Sequence, residues 1–215
     1  MEATPEMAPV RRSSRLFTAL FVTAVPVVLV AVDAAVATQG TRRPSVSLRP
    51  VLLGPSQLPP EGAGDQAATE AVASCDASRV AALPAVPTTS PAADVPSQCA
   101  VLPDFDHHEQ RYYLGRSGLT GGAKDVRSMF ESGNGWVVRV KLTKQAGKAF
   151  DDLARQQFHK QIALVVDGSV RTAPTIQPGQ AMFTPFDGTY VISGDLSQRE
   201  ARQLALQIVA GSAPR

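Results

Sequence analysis

The stretch from Gln161 to Pro174, QIALVVDGSVRTAP, constrains the fold of this chain more than any other. Ile162 to Val166 is an apolar run rich in branched residues that stops at Asp167-Gly168 and resumes from Ser169 to Ala173. An Asp-Gly pair between two strand-like runs predicts a hairpin closed by a two-residue type I′ turn. Both central residues of that turn need positive φ, which Asp tolerates and Gly adopts at little cost. Pro174 is expected to end the second strand, because it has no N–H to give to a ladder. Turn geometry accounts for Asp167 without a catalytic role.

The sequence has 215 residues and a net charge of only +2. That leaves room for one ordinary domain plus a tail and gives no argument for a nucleic-acid partner. Pro and Ala dominate the first half, while most aromatics and patterned charges follow Phe105. The expected division is a basic cytoplasmic tail over 1–15, a transmembrane anchor over 16–37, an extracytoplasmic tether over 38–103 and a domain over 104–215. Arg11, Arg12 and Arg15 precede the uncharged run Leu16 to Val32, near the shortest length that spans a bilayer, with Asp33 at its outer boundary. The arginines predict an N-terminus held in the cytoplasm and everything after about Thr38 outside. Ala35-Val36-Ala37 fits a signal-peptidase site, so a cleaved signal is the alternative. Either way the domain lies outside the cytoplasm.

The proline-rich segment from Gln39 to about Pro103 reads as a disordered tether, since such a composition buries too little apolar surface to offset its ordering entropy. Within it VSLRPVLL, Val46 to Leu53, has the pattern of an edge strand. Cys75 and Cys99 are the only cysteines. In an oxidising compartment they are expected to form a disulfide, worth roughly 3 kcal/mol for a loop of this size. A redox or metal pair would call for C-x-x-C or nearby His ligands.

No catalytic, cofactor-binding or metal-binding set emerges. Asp104, Asp106, His107, His108 and Glu109 are close in sequence, but no helical or strand spacing aims them at one point, so they read as a solvated charged stretch. His159 falls near a helix end, where the dipole favours it. Asp151 and Asp152 are adjacent on a helix and point about 100° apart, so they do not converge on one atom and read instead as part of a solvated face.

In the second half, Arg111 to Leu114 reads as a strand, Ala123 to Phe130 as a short helix or single turns, and Trp136 to Leu142 as a half-buried strand. Thr143 is placed to cap a helix whose stripe is Ala146, Phe150 and Leu153, continued by Phe158. Thr175 to Gly188 reads as a loop, and Thr189 to Ser193 as a strand ending at Gly194. Ser197 and Glu200 form a capping box, Ala201, Leu204, Ala205 and Ile208 make the apolar face of the helix that follows, and Gly211 is its expected C′ residue. The fold class expected is α+β: a mostly antiparallel β-sheet with two amphipathic helices on one face, preceded by the membrane or signal helix and the Pro/Ala-rich disordered tether.

Four ordered blocks resemble the head subdomain in the first extracytoplasmic domain of the SecD and SecDF family of protein-export membrane subunits. YYLGRSGLTGGAKDV, WVVRVKLTKQAGKAFDDL, IALVVDGSVRTAPTI and YVISGDLSQREARQLALQIVAGSAP are similar to successive segments of that subdomain. RPVLLGP is similar to an upstream strand of actinobacterial members. The resemblance covers roughly Arg111 to Pro214. Full-length members continue into a transmembrane bundle that couples proton flow to export, and carry an early D-L-Q-G-G-type motif. Neither is found here, so the resemblance implies only the head's role, contact with unfolded preprotein or with Sec translocase subunits, without enzymatic activity or cofactor. An envelope binding or sensory module that reuses the fold is the alternative.

Overall fold

The computed structural model describes residues 44–212. The expected basic tail and the apolar segment 16–37 lie outside the described residues. No helix among the described residues is long and apolar enough to cross a membrane.

The Asp-Gly hairpin forms as expected. Strands β7 (Ile162–Val166) and β8 (Ser169–Thr172) pair antiparallel, with Asp167 at φ 52° and Gly168 at φ 73°. Asp167 does more than turn the chain, because its Oδ1 accepts the N–H of Ser45 (3.0 Å) and its own N–H donates to the Ser45 carbonyl (3.0 Å). The regular strand ends before Pro174 as predicted. The ladder nevertheless resumes beyond it, since Ile162 N–H donates to the Pro174 carbonyl (3.1 Å).

Every residue of β7 is buried. Its second neighbour is β1 (Val46–Leu53). Outside β1 come β3 (Arg111–Leu114) and the short β4 (Leu119–Thr120), and β2 (Ala100–Pro103) pairs with β3. The order is β2-β3-β1-β7-β8, which corrects the reading of VSLRPVLL as an edge strand. Pro50 is tolerated there because its missing N–H falls on the side of the irregular chain between β3 and β4, where only its carbonyl is used, accepting from Gly115 N–H (2.9 Å). The sheet curls until its ends meet: Asp104 bridges Val170, and Phe105 N–H donates to the Val170 carbonyl (2.9 Å). Ala100, Leu102, Leu114, Ala163, Val165 and Val170 fill the concave face.

The other face of β1 and β7 meets a second sheet, β5 (Ala123–Glu131), β6 (Gly135–Leu142) and β9 (Thr189–Ile192), in the order β5-β6-β9. The helix expected over Ala123 to Phe130 is therefore a strand. Val126 and Phe130 fit a helical spacing, but with Ser128 they also share one face of a strand, and β6 supplies partners from Phe130↔Trp136 to Asp125↔Lys141. Gly133 and Gly135, both at positive φ, make the connecting turn.

Two amphipathic helices complete this core, α3 (Lys144–Gln156) and α4 (Gln198–Ser212). Both bury their stripes in the same cluster as Leu48, Leu164, Val138 and Ile192. Thr143 caps α3 through Ala146 N–H (3.3 Å). In the capping box Ser197 N–H donates to Glu200 Oε2 (2.7 Å) and Glu200 N–H to Ser197 Oγ (3.3 Å). Gly211 is not a C′ residue: it lies inside α4, where a Cβ would come within 2.6 Å of the Pro44 carbonyl oxygen and of Val46 Cγ2. Close helix–strand approach is what requires glycine there.

The segment expected to be a disordered tether is folded over its described part. α1 (Gln66–Ala73) and α2 (Ala77–Ala81) are capped by Asp65 and Asp76. They pack Ala71, Val72 and Val80 against Leu53, Val101 and Tyr113. The Cys75–Cys99 disulfide joins this lobe to β2, with a Cα separation of 5.5 Å. Two buried arginines hold the proline-rich chain. Arg111 donates to the carbonyls of Val86 (2.7 Å) and Pro59 (2.6 Å). Arg49 donates to Asp94 (2.6 Å) and to the carbonyls of Gly115 (2.7 Å) and Gln98. A chain poor in regular hydrogen bonds leaves carbonyls to satisfy, and a buried guanidinium needs several acceptors, so each resolves the other's cost.

At Gly168 a Cβ would fall 2.5 Å from Pro91 Cα in addition to the positive φ. Gly168→Val should therefore destabilise the protein by about 2 kcal/mol or more, measured by urea denaturation. Tyr113 donates its hydroxyl to the Val72 carbonyl (2.9 Å); burial, with Asp76 adding to it, pushes its pKa up to about 12 from a usual value of 10.0. A raised folded-state pKa means that the fold holds the neutral hydroxyl. Its stabilising contribution should be intact below about pH 10 and lost as the pH rises towards about 12, as followed by denaturation at stepped pH and tyrosinate absorbance.

Candidate functional site

The main core is open along one side, between β8 and β9. There an apolar groove of about 440 Å³ has Leu48, Ile162 and Leu164 as its floor and Tyr190 and Ile192 as one wall. Pro174 to Gln177 form the other wall, and Phe150 and Phe186 close its end. The rings pack as a group, Phe150 lying 5.1 Å from both Phe186 and Tyr190. Burial pushes the Tyr190 hydroxyl well above the usual tyrosine range, so it enters the site neutral, as a hydrogen-bond donor or acceptor.

The loop 175–188 is a shaped wall. Asp151 Oδ1 accepts the Phe186 N–H (2.8 Å). Gln177 bonds both main-chain groups of Thr184 (2.6 and 2.9 Å). Arg155 lies 4.7 Å over the Phe183 ring. Gly147 and Gly188 let α3 and the loop touch, since a Cβ on Gly147 would sit 2.9 Å from Gly188 Cα. Asp151 is thus not merely part of a solvated face, whereas Asp152 is, pairing at the surface with Lys148 (2.9 Å). His159, at positive φ beyond the end of α3, meets the Gln180 carbonyl through Nε2 (2.8 Å) and so also fastens the loop.

A second cavity of about 420 Å³ continues the groove, sharing Thr172, Ile192 and Ser193 with it. Arg171 crosses this region, its guanidinium 3.1 Å from the Phe105 ring centroid and 3.2 Å from Gln207 Oε1. Burial pulls its pKa below the usual range, while Asp106 and Asp167 oppose that pull. The pairing clasps the two ends of the curled sheet.

Of the residues singled out in the sequence, Pro174 lines the groove, and Gly194 and Glu200 line its continuation. Gly194 also turns the chain, its carbonyl accepting Leu196 N–H (2.8 Å). Asp167 and Gly168 stay at the hairpin tip, and Ser197 and Glu200 serve the cap. The Ser197 bonds hold the Glu200 carboxyl below its usual pKa. Cys75 and Cys99 belong to the lobe. Asp104 organises its own loop by accepting the N–H groups of Asp106 (2.9 Å) and His107 (3.0 Å). No group of three or more His, Cys, Asp or Glu is placed to hold a metal among the described residues. Sequence reading missed Ile176, Phe186 and Tyr190 as one surface; the only hint was the set of apolar residues inside a Gly- and Pro-rich loop.

If Asp151 sets the loop, Asp151→Ala should cost about 1 kcal/mol and speed amide exchange at Phe186 while leaving α3 protected, as read by hydrogen exchange.

The family model for the SecDF P1 head subdomain matches residues 99–214. The chain is 37% identical over 102 residues to the protein translocase subunit SecDF of Thermus thermophilus, covering 47% of this chain and 13% of that protein. It is 30% identical over 136 residues to the protein translocase subunit SecD of Dictyoglomus turgidum, covering 63% and 31%. A solved structure of SecDF, described as a membrane component that enhances protein export, is similar with a TM-score of 0.45 and 26% identity, over 80% of this chain and 64% of that one. The chain thus spans between about an eighth and a third of the length of these two SecDF and SecD relatives.

Proposed function

The chain belongs to the SecDF P1 head subdomain family, and from that membership we propose that it is a non-enzymatic accessory of Sec-dependent protein export. It is held at the membrane by residues 16–37 and presents its head outside the cytoplasm. Its task is to contact unfolded preprotein, with Sec translocase subunits as neighbours. The observation that carries this reading is the groove: it is open, apolar and lined by aromatic rings and aliphatic side chains. It also carries no charged residue among those that line it. Such a surface suits the alternating apolar side chains of an unfolded chain and makes few demands on its sequence.

The full chain in mild detergent should bind a reduced, unfolded preprotein and co-purify with the Sec channel. Thr172 is half-buried on the groove wall, and its pairing with Leu164 puts its side chain on the groove side of β8. Thr172→Trp should fill the groove and weaken preprotein binding at least about tenfold with a melting temperature close to the parent's, measured by fluorescence anisotropy. Equal binding by this variant and the parent protein would overturn the assignment of the groove.

A further inference from the structure

The groove is bounded by two rows of main-chain groups as well as by side chains. In β9 the alternation is fixed by Leu142 N–H, which donates to the Gly188 carbonyl (2.8 Å), and by the register Val140↔Tyr190 and Val138↔Ile192. Gly188, Tyr190 and Ile192 therefore turn their N–H and C=O groups towards β6, while Thr189, Val191 and Ser193 turn theirs away from it. The Thr189 N–H is taken by the Phe186 carbonyl (3.1 Å). The main-chain groups of Val191 and Ser193 have no partner among the described residues.

The opposite wall is built the same way. Ile162 N–H donates to the Pro174 carbonyl (3.1 Å) and Ile176 N–H to the Lys160 carbonyl (2.9 Å). Pro174 and Ile176 thus face β7 and the chain before it, and Ala173 and Thr175 face away. The N–H that proline lacks falls on the bonded side, so it leaves no gap in the row along the groove. The Ala173 carbonyl accepts from Gln161 Nε2 (3.0 Å); the main-chain groups of Thr175 have no partner among the described residues. The two walls run in opposite directions. Arg171 and Thr172 lie beside Ile192 to Gly194 at one end, and Pro174 to Gln177 share the other cavity with Thr189 to Val191.

We propose that the groove takes an extended segment as an added strand between β8 and β9, bonded to both edges at once and joining the two sheets. The occupant this fits is an unfolded stretch with apolar side chains at alternate positions. Those side chains would point inward to Leu48, Ile162, Leu164 and Tyr190, while the others face solvent. The inference rests on the reading of the groove as a site for unfolded chain and adds how that chain is held.

The test uses the full chain and a peptide of about nine residues alternating valine and polar residues. Two further forms are N-methylated on the odd or on the even amides. In a strand bonded on both sides, alternate amides serve opposite edges. Each methylated form should therefore bind at least about tenfold more weakly than the parent peptide, which should itself protect the Val191, Ser193 and Thr175 amides from exchange. Weakening by only one methylated form would overturn bonding to both edges. If both bind like the parent, strand addition fails while the groove reading stands. If preprotein binds in a manner sensitive to Thr172→Trp but the peptide does not, strand addition also fails. If neither binds, both readings fall together. Protection of the same amides without peptide, rising with protein concentration, would make a second copy the occupant and overturn the proposal.

Discussion

A strand buried on both faces must be covered twice, and β7 imposes that requirement on everything around it. Ile162, Leu164 and Val166 point into the main core, while Ala163 and Val165 point into the concave core of the curled sheet. One cover is made by bending the sheet until Val170 meets Asp104. The other is made by a second sheet and two helices. An apolar run without polar alternation is the sequence mark of such a strand, which is why this short stretch carries so much of the architecture.

The parts legible in the sequence are those whose physics is local. The Asp-Gly turn, the alternation in β6, the Thr143 cap and the Ser197–Glu200 box each involve residues a few positions apart, and each forms where the sequence places it. The misreadings have non-local causes. β5 becomes a strand because β6 offers it a partner, and its i, i+4 apolar pair suits both structures. The region before residue 104 is ordered through Arg49 and Arg111, whose acceptors lie up to 66 residues away. Composition alone reported many prolines and little apolar surface. It did not show that two guanidinium groups and one disulfide would collect the carbonyls and the small helices around them. Gly211 followed the same rule: a glycine near a helix end suggested a cap, and a neighbouring strand was the true reason for it.

The groove was the least legible feature because no single element owns it. Its floor comes from β1 and β7, its walls from β9 and the chain after β8, and its end from α3 and a loop. That loop has little regular structure, yet it is fixed in place by side chains of α3 and its C-terminal flank, Asp151, Arg155 and His159. Two of these three were read from sequence as solvent-facing charge or a dipole-favoured imidazole. Each is a fastener, and the loop's shape follows from them.

The opposed courses of the two groove walls carry one more consequence. An extended segment lying between them has one parallel and one antiparallel neighbour, and reversing the segment only exchanges which wall plays which part. Its backbone bonds are therefore comparable in either orientation. On the proposed mode of binding such a slot has no built-in arrow: a chain would be held alike whether it arrived head first or tail first, and any sense of direction would come from elsewhere.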